Sequence, residues 1–243
     1  MYNINNLKRK CDTIINMGWI KCNKRGNSSA GLLFEELIGI PKNNFEIADY
    51  NGIEIKTKIS KRKNYIGLFC ATPDSYLFEI KRLYETYAYI RKNNEFKSFN
   101  ITTYCTRKTA IGNNKFCELK IDYENRKIIL QIIDNIGNVI DENVSWTFEM
   151  IQEKLERKFK YLLIMNGDRK FEIGEVFYRF TNYKFYRLKR FDYFLKAMED
   201  GHIRISFSIS TFKTGKRVGQ IYDHGTSFNI HKDYINSVFD EIK

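Results

Sequence analysis

Only two prolines, three histidines and five cysteines occur in 243 residues, and each scarcity rules something out. Histidines at 202, 224 and 231 have no spacing that fits a zinc finger or a histidine-metal nuclease. The cysteines (Cys11, Cys22, Cys70, Cys105, Cys117) are odd in number and scattered, with no two-residue pairing. That pattern excludes a disulfide frame and reads as reduced thiols. No stretch approaches the roughly 20 apolar residues of a membrane span. The polar, lysine-bearing start has no apolar segment of the signal-peptide kind, so a cytoplasmic protein is expected. Internal repeats, low-complexity tracts and Pro/Ser-rich linkers are missing as well.

What is plentiful points to a folded, basic protein. Hydrophobic residues make up 43% and aromatics 15%, enough for a real core. Lys and Arg number 41 against 29 Asp and Glu, a formal charge of +12. Such an excess suits a polyanion, because phosphate neutralisation with counterion release drives non-specific nucleic-acid binding.

Periodicity predicts helices over 3–17, from Asn27 or Ser28 to Ile38, and over 76–91, 145–159, 190–200 and 232–242. Ser145 is the expected cap of the fourth, and Phe78, Tyr84 and Tyr87 the expected core stripe of the third. Strands are expected at 66–71, 99–105, 116–123, 127–133, 161–165, 171–180 and 203–209. The turn at 135–138 makes the middle of the chain an antiparallel meander, and the basic run 59–64 reads as a loop near phosphates.

One short stretch carries chemistry. From Ile53 to Ile59, apolar or β-branched residues alternate with Glu54, Lys56 and Lys58. Period two is a strand with one face in a core and the charged residues in a row on the other. Asn51-Gly52 is a tight-turn signal just before it, so Asp49 can fold back beside Glu54. Two carboxylates and a lysine at a strand's start can hold a hard divalent cation, which takes one or two protein carboxylates plus water and phosphate. Upstream, a polar glycine-bounded loop leads into a helix bearing Glu35 and Glu36; sequence does not fix which of the two faces Asp49.

The segment resembles the Asp…Glu-x-Lys core of restriction-endonuclease-superfamily nucleases. Gly31-Leu32-Leu33-Phe34-Glu35-Glu36-Leu37-Ile38-Gly39-Ile40, followed by Asp49 and Gly52-Ile53-Glu54-Ile55-Lys56, narrows the likeness to the branch holding the mismatch-repair nickase MutH and the MvaI/BcnI restriction endonucleases. A second stretch, Asp223-His224-Gly225-Thr226-Ser227-Phe228, resembles the recognition loop of the MvaI/BcnI type, where that histidine contacts bases.

The resemblance implies a mixed α/β (α+β) restriction-endonuclease-like core, a mixed central sheet flanked by helices, with a C-terminal recognition lobe. It places a catalytic lobe at about 1–110, a DNA-recognition lobe at about 160–243, and a connecting meander and helix at 111–159. It implies Mg²⁺-dependent, sequence-specific hydrolysis of double-stranded DNA by a type II restriction endonuclease. Asp49 and Glu54, with the Ile55 carbonyl, are the implied metal ligands for one or two Mg²⁺. Lys56 stabilises charge on the reacting phosphate, and Glu35 assists a second metal or a water. Glu36 and Lys58 are left open as further participants. His224, Thr226, Tyr222, Asn229, Ser206, Ser208, Lys213 and Arg217 are the implied DNA contacts. Ser206 and Ser208 stand where relatives often carry acidic and arginine readers, Tyr222 where a His can occur, and Asn229 where an Arg can, so no target sequence carries over. A monomer is expected, alongside a cognate DNA methyltransferase that makes no stable contact. A MutH-like nickase awaiting an activating partner is one alternative. The other is a non-catalytic DNA-binding protein on a nuclease scaffold, against which the complete Asp49/Glu54/Lys56 set argues.

Overall fold

Alternation in the sequence becomes pairing in the computed structural model, which describes residues 4–40, 48–59, 64–74, 76–90, 95–112 and 114–242. The fold is mixed α+β, with six α-helices and three sheets among the described residues. None of those helices is long and apolar enough to cross a membrane. The chain forms two compact units that interleave in sequence: 1–64, 153–189 and 239–243 in the first, 65–152 and 190–238 in the second. This partition crosses the boundaries read from sequence, since 65–110 goes with the second unit and 153–189 joins the first.

The first unit is a five-stranded mixed sheet. Ile20–Cys22, Glu175–Leu188, Tyr161–Glu172 and Ile53–Lys58 lie in that order, and Phe239–Ile242 also pairs with Glu175–Leu188. Ile53–Lys58 runs parallel to Tyr161–Glu172, with Ile53 opposite Tyr161 and Lys56 opposite Ile164. The two long strands were expected as shorter pieces; they are one hairpin, turned at Ile173-Gly174 with both residues at positive φ. A bulge at Asn166/Gly167 lets them cross closely, and a β-carbon at Gly167 would sit 2.5 Å from the Arg179 carbonyl oxygen. One face of the sheet is sealed by two amphipathic helices. Ile4–Asn16 buries Leu7, Cys11 and Ile14, and Ser29–Ile38 buries Leu33, Phe34 and Ile38 against Ile53, Ile55, Leu163 and Phe180. Ser28 takes the N-cap position of the second helix but makes no side-chain cap bond.

The second unit holds a six-stranded antiparallel sheet. Its order is Tyr65–Cys70, Ser227–His231, Ile203–Thr211, Lys97–Thr103 and Tyr89–Ile90, with Ile221–Asp223 added beside Ile203–Thr211. Buried Ile203, Ile205, Phe207 and Ile209 alternate with half-buried Arg204, Ser206, Ser208 and Ser210, as the sequence pattern requires. The covered face packs aromatics: Trp146 lies 5.6 Å from Phe228, which stacks on Phe69 at 4.9 Å. The Trp146 indole donates to the Ala71 carbonyl at 3.1 Å. The expected meander is present as a four-stranded sheet, Thr109–Ile111 through Val139–Thr147.

Three expected helices are redrawn. Ser145 caps nothing; it lies within the strand Val139–Thr147, and the helix begins at Phe148. The helix expected over 76–91 ends at Tyr87, and its buried stripe is Ile80, Leu83 and Tyr87, with Phe78 in water. The closing helix 232–242 is a 3-10 turn, one α turn at Ile235–Val238 and the strand Phe239–Ile242. That strand forms because the edge of Glu175–Leu188 offers unpaired backbone groups. The basic loop expected over 59–64 lies mostly outside the described residues.

Candidate active site and recognition surface

Asn51 and Gly52 both sit at positive φ, 46° and 83°, the signature of a type I′ hairpin turn. Tyr50 and Ile53 exchange backbone hydrogen bonds of 3.0 and 2.8 Å across it. The turn reverses the chain, and Asp49 Oδ2 accepts a 2.9 Å hydrogen bond from the Ile55 amide. The aspartate is thereby fixed against the start of the Ile53–Lys58 strand.

The strand's charged face is not the solvated row that alternation suggests. Glu54 is 1% exposed. Register puts Glu54 beside Leu162 and Lys56 beside Ile164, and the last turn of helix Phe148–Phe159 covers that side. Lys56 Nζ stands 5.7 Å from the Phe159 ring centre. Lys56 donates to Glu54 Oε1 at 2.6 Å, and Lys158 Nζ lies 3.5 Å from the same oxygen. Glu54 Oε2 is buried and has no hydrogen-bond partner. Burial pushes the Glu54 carboxyl up to about 7, against the attraction of Lys56 and with further upward pressure from the Asp49 charge.

Glu35 and Glu36 separate cleanly. Glu36 is exposed and ion-paired to Lys24 at 2.9 Å. Glu35 is raised above the usual carboxylate range by burial and then by the Asp49 charge, with Lys56 opposing. A β-carbon at Gly31 would touch both Thr57 and the Glu35 carboxylate, at 3.4 and 3.8 Å, so Glu35 faces the strand. Three carboxylates and two lysines therefore share one local field. Among the described residues no group of three His, Cys, Asp or Glu forms a ready-made metal cage. The donors present, two carboxylates with one oxygen lacking a partner, fit a hard cation that keeps its waters.

In the second unit, His224 is exposed and held from several sides. Its amide donates to the Ser208 carbonyl at 2.9 Å, and its Nε2 lies 3.3 Å from Ser210 Oγ. The Tyr222 ring meets it edge-on at 4.4 Å. Asp223 Oδ1 accepts from the Gly225 amide at 2.9 Å, pinning the loop. Ser206 hydrogen-bonds Thr102 at 3.0 Å on the same half-open face as Ser208 and Asn229. Lys213 and Arg217 are exposed, Arg217 lying over the Phe212 ring at 4.0 Å. Thr226 differs: it is fully buried, its hydroxyl has no partner, and its carbonyl accepts from Ala71 at 3.0 Å. Its side chain, expected to touch DNA, is thus enclosed in this structure.

The sequence model of the MvaI/BcnI restriction endonuclease family matches residues 8–239. The chain belongs to that family. Membership implies a DNA endonuclease. A solved structure described as a complex of the restriction endonuclease MvaI with cognate DNA substrate is similar at 25% identity and TM-score 0.88, covering 100% of this chain and 98% of that one. A structure of MvaI without DNA is similar at 21% identity and TM-score 0.65, covering 100% and 97%. No curated protein matches.

Two members of these sites escaped sequence reasoning. Lys158 lies about a hundred residues beyond Glu54, and a basic residue in a helix's last turn carries no site signal of its own. Ser210 continues the small-residue alternation of Ser206 and Ser208 by one step; extending that period would have found it.

Proposed function

We propose that this protein is a type II restriction endonuclease that hydrolyses double-stranded DNA at a specific sequence with Mg²⁺. The observation that carries the reading is the local set of Asp49, held on the Ile55 amide, and buried Glu54, with Lys56 on one of its oxygens and the other without a partner, in a chain of this family. Asp49 and Glu54, with the Ile55 carbonyl, would hold the cation. When bound, a Mg²⁺ supplies Lewis acidity toward the phosphate and lowers the pKa of a water. Lys56, partly exposed beside Glu54, meets the reacting phosphate and stabilises charge that grows on its oxygens. Lys158 balances the Glu54 carboxylate from the helix side. Glu35 orients water or assists a second cation.

The unit bearing residues 49–56 is assigned catalysis and the unit bearing 203–231 is assigned recognition. His224, with Tyr222, Asn229, Ser206 and Ser208, reads base edges, while Lys213 and Arg217 meet phosphates. The protein acts in the cytoplasm as a monomer, with a methyltransferase protecting the host's sites. Similarity to the MvaI complex with cognate DNA supports duplex DNA as the substrate. The test is incubation with several plasmids in Mg²⁺, with Ca²⁺ and EDTA controls, and sequencing of the ends. Discrete fragments sharing one short sequence are expected. Intact plasmid in Mg²⁺ would exclude the nuclease reading, and ends without common sequence would exclude restriction specificity.

A further inference from the structure

Beyond His224, the polar face of the Ile203–Thr211 strand carries a second structured group at its other end. Arg204 is half-buried. Its guanidinium centre lies 3.5 Å over the Tyr65 ring, and Nη1 donates to the Tyr104 hydroxyl at 3.4 Å. Its Nε is buried with no hydrogen-bond partner. Beside it, Arg107 lies over the Tyr104 ring at 3.9 Å. Among the described residues neither arginine has a carboxylate within ion-pair distance. Half-buried Arg82 pairs with Glu79 and Asp141, and Lys56 and Lys158 with Glu54, whereas half-buried Lys8 and Lys10 rest against the Phe185 and Tyr50 rings. Withdrawing a cation from water without an anion is unfavourable, so an arginine fixed this way in a free protein marks a place where an acceptor arrives from outside. The Tyr104 hydroxyl registers the same field: although burial opposes it, hydrogen bonds from Arg204 and Tyr65 and the charges of Arg204 and Arg107 hold it below the usual tyrosine range.

We infer that Arg204 is a further specificity-determining residue, reading a guanine edge on the same sheet face as His224; this rests on the sequence-specific endonuclease reading above. Three observations favour a base over a phosphate. The guanidinium is clamped between two tyrosines, and a pre-organised planar fork loses little freedom on forming two parallel hydrogen bonds. Strand alternation puts it on one face with Ser206, Ser208 and Ser210, and these short side chains let a groove approach the sheet. Its distance also suits a short duplex site. Arg204 stands four to six residues along the strand from Ser208 and Ser210, which hold His224, or about 13–20 Å. At about 3.4 Å per base step that separates the two readers by roughly four to six base pairs. Guanine is the base whose O6 and N7 acceptors match an arginine fork.

The test begins with the site itself, read from ends cut by the unaltered protein from a plasmid library in Mg²⁺. Absence of any common sequence there overturns the endonuclease-specificity reading, and this inference with it. With a site in hand, affinities are measured in Ca²⁺ for the cognate duplex and for duplexes changed at one base pair each. Arg204→Lys keeps the charge but not the fork; Arg204→Gln removes both, and melting curves check that each folds. Both variants are expected to lose roughly 5- to 150-fold of the preference for guanine at one position, and to keep preference at the position lost in His224→Ala. A position-by-position preference identical to the unaltered protein overturns the Arg204 assignment alone. Equal weakening on every duplex, with Arg204→Lys near normal, makes Arg204 a phosphate contact and overturns it too.

Discussion

Replacing Glu54 by Gln should make the metal-free protein more stable while destroying cleavage. The carboxyl is 1% exposed, and one oxygen lacks any partner. Its proton is held from an ordinary value near 4.5 up to about 7. Over that interval the folded state binds a proton that the unfolded chain has released, so stability falls as pH rises from about 4.5 to 7 and stays low above it. At about 1.4 kcal/mol per pH unit, the interval is worth roughly 3 kcal/mol. A neutral amide of the same shape escapes that cost. Gln leaves Lys56 and Lys158 facing one another without an anion, but both are more than a quarter exposed and can turn to water. A gain of a few degrees in Tm is therefore expected at pH 8, with about 12 °C as the ceiling for a chain of this size. The gain should shrink toward zero near pH 4.5, where wild type is protonated as well. Thermal melts in EDTA at several pH values measure this, and plasmid cutting in Mg²⁺ should fall at least 10²–10³-fold. A variant that melts at or below wild type at pH 8, or a difference that does not change with pH, would refute the burial argument.

Lys56→Ala and Asp49→Asn should each abolish Mg²⁺-dependent cleavage, by about 10²–10³-fold or more, with DNA affinity in Ca²⁺ within a few-fold; substantial residual cutting would move the site, to Lys58 first. His224→Ala should weaken binding to the cognate duplex by about 1–3 kcal/mol and leave a scrambled duplex, held by salt-sensitive phosphate contacts, nearly unchanged. Equal loss on both would make His224 structural. Asp141 is buried and accepts from Arg82, from the Tyr87 hydroxyl at 2.8 Å and from the Asn143 amide at 3.0 Å. Burial pushes its carboxyl up, but these donors outweigh it and hold it below the usual range. Asp141→Asn should therefore destabilise by about 3–5 kcal/mol near neutral pH. Because the depressed carboxyl contributes in full above the unfolded value near 4 and loses that contribution progressively below it, the gap to wild type should close as pH falls through the folded value. Paired melts at pH 7 and pH 3 read it, and a constant gap would be contrary.

Much of the fold was legible because local pattern and final contact agree. Helix 3–17 and the glycine-ended helix at 38 bury the residues their spacing names, and strand 203–209 alternates as written. What escaped depended on partners far away in sequence. Nothing near Ser145 says that Lys127–Ile133 will pair with it, and that pairing turns a plausible helix cap into a strand residue. The end of the chain has helical spacing, yet residues 239–242 extend because Leu188 and its neighbours present an open edge. The interleaving of the two units is invisible for the same reason: strand partners, and not sequence neighbours, decide which segments pack together.

The candidate site divides along the same line. Local geometry was readable: the Asn51-Gly52 turn, the carboxylate it folds back, and the Glu-x-Lys strand are adjacent residues with adjacent consequences. Electrostatics was not, because it is set by what covers the strand. Period two cannot separate a solvated charged face from one roofed by Phe159 and Lys158, which arrive from about a hundred residues downstream. That roof changes what Glu54 is. An exposed glutamate would be ionised and bound to water; this one is nearly dry, shared by two lysines, and has one oxygen without a partner. On the proposed reading the two lysines stand in for a cation, keeping a buried carboxylate tolerable until one binds. Asp49 and Glu54 would hold that cation, whose charge would replace part of what Lys56 gives the carboxylate, and Lys56 would then be available to a DNA phosphate. The residue that stabilises the free protein and the residue that meets the substrate are thus the same lysine, which is why removing its carboxylate partner should separate stability from activity.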